Sequence, residues 1–226
     1  MDFKILSRPS YSLLELNLED GEEIQAETGA MVYMKNIELK TEMKGGILGS
    51  LKRALLGGES FFINRFVSIG NGLLGLAPSY NGDITHISLS NETIYAQSGA
   101  FLACSPEIEI DWKWGGARMF FAGEGLILLK LYGSGSLFLS SFGGLEKIEL
   151  KDERVMIDTG HVVAFTDGLH YTIRRAGNLK ATLLSGEGLV VEFSGTGTVW
   201  VQTRSIAAYL SWLSSLLPRI LKEGKS

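Results

Sequence analysis

Three glutamates occupy one station of a recurring pattern: Gly58-Glu59-Ser60, Gly123-Glu124-Gly125 and Gly186-Glu187-Gly188. Three carboxylates gathered around one axis could bind a cation or raise one another's pKa. A glutamate can equally satisfy backbone N–H groups at a Gly-rich turn. Threefold repetition favours that structural role, because a catalytic centre seldom needs three copies. Glu59, Glu124 and Glu187 stand as the candidate ligand residues.

The other reactive side chains form no pattern of their own. His86, His161 and His170 include no helical i, i+4 pair, and two imidazoles without a carboxylate make a poor zinc site. Cys104 is the one cysteine, so no intrachain disulfide and no multi-cysteine zinc site can form. It follows a repeat motif among apolar residues and reads as core. Gly70-Asn71-Gly72-Leu73-Leu74-Gly75 satisfies G-x-G-x-x-G. A dinucleotide loop must open a helix, whereas Ala77-Pro78 follows here, so the string reads as a turn. No phosphate-binding P-loop and no Gly-x-Ser-x-Gly nucleophile motif occur. The expectation is a non-enzymatic protein with no cofactor, no metal and no catalytic residue.

Stepping out from single residues, the chain repeats itself. Glu23 to Met31, Glu92 to Phe101 and Glu153 to Val162 share an acidic residue, an apolar alternation, then Glu/Gln/Asp, Thr/Ser and Gly. The final glycines, Gly29, Gly99 and Gly160, lie 70 and then 61 residues apart. The Gly-Glu station recurs in phase, each time leading into a β-rich run that ends in Gly-x-Gly: Gly70/Gly72, Gly133/Gly135 and Gly195/Gly197. Units of this size bury their own apolar faces poorly, so they should pack on one another.

The fold class expected is all-β: three pseudo-threefold-related modules in a compact barrel or sandwich of double-stranded β-helix type. One domain spans 1–226, with repeats at about 1–75, 76–140 and 141–204. Strands of four to eight residues with hairpins at Asn71-Gly72 and Asn81-Gly82 are expected. A C-terminal helix is predicted over 205–217, with Ser205 as N-cap and Pro218 as its stop. A second short helix is predicted within Gly46 to Leu56. Its apolar residues Ile47, Leu48, Leu51 and Leu55 share a face, while Lys52 and Arg53 turn away. These six residues are the candidate partner or membrane contact.

The bulk numbers narrow the partners. The chain has 226 residues and a net charge of −4, where a general nucleic-acid binder is usually basic, so nucleic acid is disfavoured. No apolar run approaches the ~18 residues of a membrane span. Met1 to Ser10 has no apolar signal region, so a cytoplasmic location is expected. The 28 glycines against 4 prolines argue for many tight turns rather than disorder.

Together these residues resemble the Altered Inheritance of Mitochondria twenty-four family over about Met1 to Leu217. The carriers include Gly58 to Asn64, Gln97-Ser98-Gly99-Ala100, Asp158-Thr159-Gly160-His161, Arg174-Arg175-Ala176-Gly177 and Gly197 to Arg204. The resemblance implies a β fold like that of the tryptophan RNA-binding attenuation protein. Bacterial and archaeal members are of unknown function, and eukaryotic members have a role in mitochondrial inner-membrane organisation. It supplies no catalytic residues. The function expected is a soluble β scaffold that self-associates as a homo-oligomer and binds a protein or membrane-surface partner. The alternative is a small-ligand or RNA-binding module using the barrel end.

Overall fold

The structure, a computed structural model, describes residues 1–40, 63–112, 127–175 and 189–223. Among the described residues thirteen strands form one predominantly antiparallel sheet, interrupted by two single-turn 3-10 helices and followed by one α-helix, α1 (Ile206–Glu223).

Three long strands organise the sheet: β5 (Ile63–Leu76), β9 (Leu128–Ser140) and β13 (Leu189–Gln202). Each is flanked on both sides. β5 lies between β2 (Leu13–Leu18) with β3 (Glu23–Glu27) on one side and β4 (Met31–Lys40) on the other. β9 lies between β6 (Ile84–Gln97) and the pair β7 (Phe101–Cys104) and β8 (Ile108–Asp111). β13 lies between β10 (Leu145–Asp158) and the pair β11 (Val162–Thr166) and β12 (His170–Arg175). Two ladders join these groups, β3 with β7 and β6 with β11. With β1 (Asp2–Leu6) on β2, the hydrogen-bonded path runs from β1 to β10 and, among the described residues, does not close on itself.

The strands are longer than expected, and the glycine pairs explain why. Gly70, Gly133 and Gly195 lie inside β5, β9 and β13, at φ of 139°, 133° and 116°. Only glycine adopts such angles without strain, so each long strand bends there and continues. The Gly70–Gly75 string, expected as a turn, is therefore mid-strand, and no hairpin forms at Asn71-Gly72. Opposite each bend the partner chain bulges through a left-handed residue: Gly21 (φ 79°), Asn91 (58°) and Asp152 (58°). Those three positions are again 70 and 61 residues apart.

One carboxylate caps each bulge. Glu22, Glu92 and Glu153 accept from the backbone N–H of Glu19 (2.8 Å), Ser90 (3.4 Å) and Lys151 (3.3 Å). The acidic residue of the first motif copy is thus Glu22 rather than the expected Glu23, and Glu22, Glu92 and Glu153 keep the 70- and 61-residue spacing of the other stations. The amino terminus of Met1 also bonds Glu22 and draws its carboxyl below the ordinary range.

Packing alternates large and small residues across one recurring pair. Tyr33 faces Gly75, Ala103 faces Phe138, and Ala164 faces Trp200. A Cβ on Gly75 would come 2.5 Å from the Tyr33 ring. Gly75 is a packing residue, which removes the last resemblance to a cofactor loop. Phe66, Phe101, Phe138, Phe165 and Phe193 are fully buried, each worth about 1.5–3 kcal/mol of apolar transfer. Among the described residues no buried side-chain polar atom lacks a partner.

Candidate interaction surface

The three glutamates Glu59, Glu124 and Glu187 lie outside the described residues, as do Ile47, Leu48, Leu51, Lys52, Arg53 and Leu55. The remaining sequence candidates resolve into structural roles. Cys104 is fully buried between β3 and β9, and burial raises its thiol pKa. His86 makes tilted ring contacts with Phe3 and Phe138, and its Nε2 lies 3.0 Å from Ser136 Oγ. His161 Nδ1 bonds the Gln202 carbonyl at 2.7 Å, and His170 sits separately in β12. Among the described residues no three His, Cys, Asp or Glu side chains cluster for a metal.

The strand-end polar residues make local bonds as their types suggest. Gln97 Nε2 donates to the Val162 carbonyl (3.1 Å), the Ile127 N–H donates to Ser98 Oγ (3.2 Å), and Asp158 accepts from the Gly160 N–H (2.9 Å). Glu27 holds the same station as Gln97, and burial pushes its carboxyl up to about 7. The neighbouring Tyr80 phenol is buried and pushed up to about 12, in part by the Glu27 charge. Tyr80 bonds the Gly99 carbonyl and Ser140 Oγ. Asp83 anchors another junction. Burial alone would raise its carboxyl, but bonds from Arg8 (2.8 and 2.9 Å), Ser12 (2.8 Å) and the Ile84 N–H outweigh that and hold it low.

Two outward-facing stretches are notably apolar. Ser205 caps α1 by accepting from the Ala208 N–H at 3.3 Å, as expected. The helix is rooted by a run of rings, Tyr80 on Phe142 (5.9 Å), Phe142 on Tyr209 (5.5 Å) and Tyr209 on Trp212 (5.8 Å). Beyond that root its apolar stripe is open: Tyr209, Leu210, Trp212 and Leu213 are all exposed. The helix also runs to Glu223, past the expected stop at Pro218. Trp112 packs partly buried against the central core, while Trp114 lies outside the described residues. Further apolar exposure went unnoticed in sequence: Met31, Val32 and Met34 are exposed on β4 and, separately, Met156 on β10.

Comparison with known proteins places the chain. The profile of the family described as Mitochondrial biogenesis AIM24 matches residues 3–204. The chain belongs to the AIM24 family. An uncharacterised protein of Streptococcus pyogenes serotype M6 is 31% identical over 227 residues, covering 96% of this chain and 92% of that protein. The X-ray crystal structure of a Streptococcus pyogenes protein has a TM-score of 0.80 and 31% identity, covering 95% of this chain and 98% of that one. The AIM24 profile ends just before α1 begins. No described helix is long and apolar enough to cross a membrane.

Proposed function

We propose that this AIM24-family chain is a non-enzymatic, cytoplasmic β scaffold of three repeated modules that self-associates and presents α1 to a membrane-surface partner. The open apolar stripe of α1 carries the reading. Tyr209, Leu210, Trp212 and Leu213 leave an apolar helix face in water with nothing in the described residues covering it. From Ser205 to Pro218 the helix has no charge, and Arg219 and Lys222 follow. Aromatic anchors, leucines, serines and a basic end are the composition of a helix that lies in a lipid interface. The repeated stations support the modular description, since bulge, capping glutamate and strand bend recur at the same spacings.

Sedimentation with liposomes of phosphatidylcholine and phosphatidylglycerol tests the membrane part. Wild type should co-sediment, and Leu210→Glu/Leu213→Glu should remain in the supernatant. Equal partitioning of the two would remove the membrane surface from the reading.

A further inference from the structure

The two ladders that join the strand groups use one geometry. In the first, Ala26 pairs with Ala103 and Gln25 with Cys104. In the second, Ala96 pairs with Ala164 and Tyr95 with Phe165. The residues move together by 70 and 61 positions, so the second junction repeats the first in register. Carried on once more, the rule sets Ile157 of β10 opposite Tyr33 of β4, Met156 opposite Met34, and Val155 opposite Lys35. Among the described residues no such ladder forms: β10 ends the sheet path and β4 pairs with β5.

The side chains at this unmade junction are those that the other two bury. Phe101, Leu102 and Cys104 on β7 are fully buried, as are Val162, Val163 and Phe165 on β11. Their counterparts on β4 are open, Met31 at 41%, Val32 at 53% and Met34 at 43%. On β10, Met156 is 55% exposed. Tyr33 replaces the alanine of the other junctions without obstructing it. Its ring lies over Gly75 and its hydroxyl bonds Glu15 at 2.6 Å, on its own side of the strand.

We propose that β10 of one copy pairs antiparallel with the start of β4 in a second copy, joining chains head to tail through Met156 and Met34. The occupant is argued from the chain itself, because the apposed surface already fits its own sequence twice. Charge agrees: Lys35 would lie one diagonal step from Glu153, a reach at which opposite charges attract across strands. Edge protection agrees as well. Charged side chains crowd β10 from Glu146 to Arg154, but Val155-Met156-Ile157 carries none. Native sheets guard edges with charge, and this edge is left open only where the repeated junction falls. The two surfaces differ, so the contact is heterologous and builds rings or filaments rather than a twofold dimer.

This inference rests on the self-association proposed above, and one set of measurements separates the two. The probe is the full chain with Met34→Cys and Met156→Cys. Opposed residues on paired strands come within disulfide reach, and the native Cys104 is buried. Mild oxidation should give a ladder of covalent dimers and higher species, and mixing the two single variants should give one heterodimer. In this register Val32 lies opposite Asp158, so Val32→Glu sets like charges face to face and should weaken association about tenfold or more, while leaving the Tm of the dilute, monomeric chain unchanged. A wild type that stays monomeric up to ~100 μM, a level at which a specific strand interface should form, would overturn self-association itself. An oligomer that gives no cross-link and ignores Val32→Glu would overturn this interface alone. A disulfide formed within one chain would also overturn it, because β10 would then meet its own β4.

Discussion

At the scale of single residues, Glu27 and Gln97 occupy one station with opposite consequences. The Gln97 amide donates to a carbonyl across the junction, a bond that an ionised carboxylate cannot make. Burial favours neutral Glu27, with a pKa of about 7 against an ordinary value of 4.5. Because the folded value is raised, folding holds the proton that the unfolded chain releases. Stability from Glu27 is therefore full below about pH 4.5, falls as pH rises to about 7, and stays low above that. Allowing for partial exposure, the loss should be about 1–2 kcal/mol. Glu27→Gln should flatten this part of the pH–stability profile and raise Tm at pH 8, as read by thermal melts across the range. Asp83 runs the other way. Its carboxyl is held low, so its contribution is present above the unfolded carboxylate range and is lost as pH falls through the lowered folded value. Asp83→Ala would strip Arg8 and Ser12 of their partner and should cost about 2–3 kcal/mol by urea titration.

At the scale of elements, the bend glycines share a φ but not surroundings. An added Cβ at Gly70 meets nothing within 4 Å, at Gly195 its nearest neighbour is 3.6 Å away, and at Gly133 it would sit 2.4 Å from the Glu107 carbonyl. Gly70→Ala and Gly195→Ala should then cost only backbone strain, about 1–3 kcal/mol. Gly133→Ala adds a backbone clash and should cost more than either, about 4 kcal/mol or above. Equal destabilisation of all three in urea titrations would contradict the packing assigned to β9. For α1 the expectation is the reverse. Leu210 and Leu213 touch solvent, so glutamates there should move folding stability by less than about 0.5 kcal/mol while changing what the helix binds. A variant that loses liposome binding without losing Tm would separate docking from folding.

At the scale of the whole molecule, the buried residues fall into three apolar clusters that draw on neighbouring strand groups. Phe138 of β9 packs into the first cluster and Trp200 of β13 into the central one. Each junction therefore shares core as well as hydrogen bonds, and an unmade third junction leaves apolar surface in water. Association of folded chains stabilises them by mass action, so Tm should rise with protein concentration and cease to do so in Val32→Glu. Differential scanning calorimetry over a hundredfold concentration range reads this directly.

Much of this was legible in the chain. The all-β class, the α1 cap at Ser205, the buried Cys104 and the family followed from repetition and residue type. These are local signals: a period, a cap and an apolar run act over neighbouring residues. The glycine strings were misplaced because a bend inside a strand and a turn between strands use the same residue, and only the partner strand decides which occurs. The exposed face of β4 was hidden for a related reason. Met31, Val32 and Met34 are as apolar as their buried counterparts on β7 and β11. Sequence determined that three similar stretches would each want a neighbouring strand. Tertiary structure alone decided which two found one within the chain, because burial depends on what lies across the ladder and not on the residue itself.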